Sequence, residues 1–184
     1  MTTQKDSTHN NSSSRETLIK RMSELESQGK DCSGCPGTCC TFVSNSMMCT
    51  PQEAMDLYLY LEKEKRITVD FIDKLKLSIQ KYKLSPRYLS EKSYLRKTYT
   101  CPLFSESEKG CTVSRKAKPH GCLAFNNHDP LKKASEGCFS EQHLLEEIKE
   151  HEFKNDTLNL GWVKAPIPNA ILELYEKRNL ISNL

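Results

Sequence analysis

The chain has 184 residues, a formal charge of +3 from 27 basic and 24 acidic side chains, and 36% hydrophobic against 28% charged residues. That length suits one domain with a real core, and the composition argues against a membrane-embedded or wholly disordered chain. The near-balanced charge gives no reason to expect nucleic acid or anionic lipid as a partner.

Residues 1–13, rich in Ser, Thr and Asn, bury too little apolar surface to offset their ordering entropy. They are expected to form a disordered polar tail, leaving 14–184 as a single domain. The polar amino terminus lacks the apolar core of a secretory signal, and no later run reaches the length of a membrane span, so a cytoplasmic protein is expected. From Ser13 the pattern SSRE offers a capping box, with Leu18, Ile19, Met22 and Leu25 at helical spacing and a stop at Gly29. Next comes DCSGCPGTCC, where Gly34, Pro36 and Gly37 break any regular element and leave a knuckle-like loop over 30–41.

TPQE, Thr50 to Glu53, starts a second helix with Thr50 as cap and Glu53 reaching back, followed by apolar Met55, Leu57, Leu59, Tyr60 and Leu61. A third helix is expected over about Val69 to Tyr82, with Phe71, Ile72, Leu75 and Ile79 on one face, pairing with the second as a hairpin. The segment CPLFSESEKGCTV, Cys101 to Val113, predicts a short β-hairpin with a cysteine at each base. Two further helices are predicted, one from Ser140 through EQHLLEEIKEHE and one over APIPNAILELYEKR with Ile171, Leu172 and Tyr175 as its stripe.

Nine cysteines in a reducing compartment read as metal ligands or redox groups rather than crosslinks. In an oxidising compartment disulfides would return, with one thiol left over. Cys32 and Cys35 form a C-x2-C pair, a spacing that lets two sulfurs face one ion, and Cys39 and Cys40 follow at once. Adjacent side chains on an extended backbone point to opposite sides. Cys39 and Cys40 then either serve two centres or leave one sulfur free to pack or react. The first arrangement would draw on Cys101, Cys111 and Cys122, with Cys49 or Cys138. Soft thiolates accept zinc and iron alike, and four of them also hold an iron–sulfur cluster. Lys109, Arg115, Lys116 and Lys118 bracket Cys111 and Cys122 and would favour thiolates. His120 and His128 are candidate nitrogen ligands, while His143 and His151 fall on a predicted helix surface.

The stretches CSGCPGTCC, TPQEAMDLYLYL, CPLF and GCTVSRKAKPHGCLAF, in that order over about 32–125, resemble the YkgJ-like cysteine-cluster proteins, a zinc- or iron-chelating family of CxxCxxCC type. The resemblance implies a metal-binding set of Cys32, Cys35, Cys39, Cys40, Cys101, Cys111 and Cys122, with Cys49 and Cys138 as further candidates. Beyond this family-like core, the two predicted C-terminal helices make a helical extension over 139–184. This chain departs from the pattern in reading CxxCxxxCC, and in having Ser114, Lys118-Pro119 and Leu123 where the family has Tyr, Arg-Pro and Arg. Flagellin lysine methylases are distantly similar in their cysteines and suggest an iron–sulfur centre.

Together these features predict a mainly α, small helical domain with Cys-rich loops and a short β-hairpin organised around a metal site. The expected function is chelation of zinc, iron or an iron–sulfur cluster, the metal adding on the order of 10 kcal/mol to the folded state. Two alternatives are a metal- or Fe–S-dependent enzyme or subunit doing redox or methyl-transfer chemistry, and a zinc-stabilised adaptor for a protein partner.

Overall fold

A computed structural model describes residues 8–28, 37–88, 92–105, 110–127, 138–140 and 161–182. The fold is mainly helical, with short two-stranded sheets. No helix among the described residues is long and apolar enough to cross a membrane.

Helix α1, Thr8–Ser27, begins five residues before the expected Ser13 cap, so residues 8–13 belong to a helix and not to a tail. Once a helix is nucleated, adding a turn at its amino end costs little even for Thr, His and Asn. Its predicted stripe is correct: Leu18, Met22 and Leu25 are buried, and the first two pack on Leu123 and Ala124. Arg15 fixes the helix laterally, with Nη2 bonded to Asp56 at 2.8 Å and Nε donating to the Lys118 carbonyl at 3.3 Å.

Helix α2, Pro51–Lys63, has the capping box that TPQE announces: Thr50 Oγ1 accepts from the Glu53 amide, and Glu53 Oε2 accepts from the Thr50 amide at 2.7 Å. Its core face is Ala54, Leu57, Tyr58 and Leu61. Leu59 is exposed, because two residues along a helix turn a side chain about 200° from its neighbour on the core face. Helix α3 spans Val69–Tyr82 as predicted, capped by Thr68 and ending at Lys83 in the left-handed region. It buries Ile72 and Leu75.

The last helix, α5, spans Ile167–Ser182. Its stripe is rotated from the expected one: Ile167, Ala170, Ile171 and Leu174 are buried, while Leu172 and Tyr175 are only half-buried. Both α2 and α3 pack mainly on α5, so the centre of the fold is the C-terminal helix rather than a hairpin of α2 with α3.

Short strand pairs carry the connections. Strand β1, Met48–Cys49, pairs antiparallel with β8, Ala165–Pro166, and anchors the start of α2 to the start of α5. Strands β2, Arg87–Tyr88, and β3, Lys92–Ser93, form a second pair. The predicted hairpin is present as β4, Phe104–Ser105, against β5, Gly110–Cys111. The short helix α4, His120–Ala124, leads into β6, Phe125–Asn127, which pairs with β7, Cys138–Ser140. Ser140 therefore closes a strand; the helix expected after it, with His143 and His151, lies outside the described residues.

Candidate metal centre

Four separated pieces of chain meet around the cysteines. The first is a 3-10 turn, Thr38–Cys40, closed by the Cys40 amide donating to the Gly37 carbonyl at 2.8 Å. Gly37 is required twice over: its φ is 77°, and a Cβ there would lie 2.4 Å from the Phe104 ring. That ring stacks the β4–β5 hairpin directly on the cysteine turn.

The second piece joins the first by backbone, with the Cys101 amide donating to the Cys40 carbonyl at 2.7 Å. Tyr99, fully buried, holds the register: its amide donates to Asn45 O at 2.8 Å, and Asn45 Nδ2 returns a bond to Tyr99 O at 2.9 Å. Its hydroxyl donates to Met47 O at 2.7 Å and accepts from the Ile167 amide at 3.1 Å, tying the loops to α5. The third piece carries Cys111, on β5 opposite Phe104. Arg66 Nη1 secures its continuation by donating to Thr112 O at 2.8 Å.

Helix α4 is the fourth piece and carries Cys122. A buried ion pair places it. Glu53 Oε1 accepts from the His120 amide at 2.8 Å and lies 2.9 Å from His120 Nδ1. An ionised carboxylate can only accept, which assigns the proton to Nδ1. Burial pushes the Glu53 carboxyl up, but the hydrogen bond and charge of His120, with the amides of Thr50 and His120, hold it down to about 2. One side chain thus caps α2 and anchors the helix bearing Cys122. The chain reading identified Glu53 as a cap and His120 as a candidate ligand; it offered no signal that the two are partners.

Six described cysteines, Cys39, Cys40, Cys49, Cys101, Cys111 and Cys122, are free thiols. The Cys39 and Cys40 sulfurs lie 4.0 Å apart, both half-buried, so the turn brings together what an extended backbone would separate. Burial pushes the Cys101 thiol up to about 12, with Cys111 adding to the rise and the Leu103 amide, Lys74 and Lys118 opposing it. Burial also drives Cys122 well above the usual thiol range, reinforced by Cys101 and Cys111. Cys101, Cys111 and Cys122 therefore lie near enough to influence one another, and Lys118 acts on both Cys101 and Cys122. Arg115 is turned away, paired with Glu26 of α1.

Cys49 is fully buried on β1, its sulfur 3.5 Å from the Ala165 carbonyl it faces. Burial, followed by the Glu53 charge, raises its thiol well above the ordinary value. It behaves as a small core residue with a weak donor. Cys138 lies on β7 opposite Asn127. Cys32, Cys35, Lys109 and His128 lie outside the described residues. Among the described residues, no three His, Cys, Asp or Glu side chains are grouped to hold an ion.

Comparison of the chain with protein-family models, with curated proteins and with solved structures finds no match.

Proposed function

We propose that this is a metal-chelating cysteine-cluster protein of the cytoplasm, taking zinc, iron or an iron–sulfur cluster through Cys32, Cys35, Cys39, Cys40, Cys101, Cys111 and Cys122. The observation that carries the reading is the electrostatic contact of Cys122 with Cys101 and Cys111, and of Cys101 with Cys111, across three chain segments, with the Cys101 amide bonded to the Cys40 carbonyl at 2.7 Å. A bound cation would let the buried thiols ionise, because its charge offsets both the cost of burying a thiolate and the repulsion between neighbouring thiolates. The order of the cysteine motifs, with its resemblance to the YkgJ-like proteins, points the same way. Cys49 is assigned to the core and outside the ligand set.

The test is purification without air, followed by measurement of bound metal and acid-labile sulfide. Stoichiometric zinc, or iron with or without sulfide, is expected. The metal should be lost in Cys101→Ala and Cys122→Ala and kept in Cys49→Ala. A folded, metal-free protein whose thermal unfolding ignores added zinc, iron and chelator overturns the reading.

A further inference from the structure

Cys39 and Cys40 are half-exposed and stand out in facing one another, with 4.0 Å between sulfurs. The cause is the 3-10 turn, whose 2.8 Å closure onto Gly37 O swings both side chains to one side. A direct disulfide between them is disfavoured. Successive Cα atoms are about 3.8 Å apart, below the span of roughly 4.4–6.8 Å that ordinary disulfides use. What the pair suits is a single soft atom set between the two sulfurs, since thiolates select soft centres.

We propose that Cys39 and Cys40 form a vicinal dithiol site that captures trivalent arsenicals. In the reaction the two S–H groups add to R–As=O. Two As–S bonds form, the As=O bond is lost, and its oxygen leaves as water carrying both thiol protons. No electrons are transferred, so no oxidant or reductant is needed. The next two residues, Phe42 and Val43, are 58% and 62% exposed and offer an apolar margin for an organic substituent on the arsenic. The inference stands on the geometry of the pair, and a metal held by these same two thiols has to leave first, which dialysis against EDTA provides for.

The experiment treats the full chain with phenylarsine oxide, both as purified under nitrogen and after dialysis against EDTA. Intact mass is followed by peptide mapping. A two-sulfur adduct adds the mass of one phenylarsine oxide less one water, whereas a single-sulfur adduct keeps that water. We expect the water-less adduct on the peptide containing Cys39 and Cys40, resistant to excess glutathione and released by a small dithiol. Cys39→Ser and Cys40→Ser should each abolish it with the helical far-UV signal unchanged. Mapping of the wild-type chain needs no variant and stands if either fails to fold. The proposal is overturned if neither sample gives the water-less adduct, if that adduct maps to other thiols, or if glutathione strips it.

Discussion

The helical scaffold and the cysteine loops are held together by different physics. Helices α2, α3 and α5 meet over Leu57, Leu61, Ile72, Leu75, Ile171 and Leu174, all nearly or fully buried, so their cohesion is apolar and non-directional. The loops rest on two-residue strands, 3-10 turns and a few directional ties: Cys101 to Cys40, Tyr99 to Asn45, Met47 and Ile167, and Glu53 to His120. Apolar burial supplies most of the free energy of such a fold, whereas each hydrogen bond adds little net stability and mainly sets geometry. The scaffold should therefore determine whether the chain folds, and the ties where its sulfurs sit.

The largest expected effect tests the scaffold. Leu61 is fully buried, and Leu61→Ala should cost about 2–5 kcal/mol, read as a lower urea midpoint, while the reactivity of Cys39 and Cys40 stays unchanged below the melting temperature. Glu53→Gln should cost less, about 1–3 kcal/mol, because an amide cannot accept all the bonds the carboxylate does. It should also free α4, seen as faster alkylation of Cys122. A Leu61→Ala variant that accelerates Cys122 alkylation equally would erase the distinction. Acid offers a version without mutation. Glu53 titrates near 4.5 when unfolded and near 2 when folded, so its contribution is complete above the first value and is lost as pH falls through the second. Urea midpoints of the wild type and Glu53→Gln should therefore converge in acid and diverge at neutral pH.

Local codes were readable in the chain, and distant partnerships were not. TPQE specifies the start of α2 because a capping box closes within four residues, and α3 was legible because its apolar residues recur at helical spacing. The β4–β5 hairpin was legible from its polar turn. By contrast, Glu53 and His120 are 67 positions apart, and no periodicity joins two polar side chains across that distance. The same limit hid α5 as the hub, since an apolar stripe shows that a helix is buried and not what it is buried against. Cys39 and Cys40 were expected to diverge because an extended backbone was assumed; a 3-10 turn closed on Gly37 brings them together instead, and the Phe104 ring packed against Gly37 is a long-range contact. That Cys101, Cys111 and Cys122 lie near enough to influence one another was foreshadowed only by the order of their motifs.

The smallest effect has the opposite sign and gives the finest separation of the two regions. Lys83 ends α3 at φ 51° and ψ 51°, a conformation that costs a residue with a Cβ about 1 kcal/mol and costs glycine almost nothing. The position is otherwise well made: its amide donates to the Gln80 and Ile79 carbonyls, and Leu84 behind it is buried. Lys83→Gly keeps those backbone bonds, and its greater freedom in the unfolded chain offsets only part of the relief. A net gain of about 0.5 kcal/mol is expected, raising Tm by about 1–2 °C. Because α3 belongs to the scaffold, arsenical capture by Cys39 and Cys40 and alkylation of Cys122 should keep their wild-type rates. If those rates slow in step with the gain, the loops open only when the scaffold does, and the two regions are one cooperative unit.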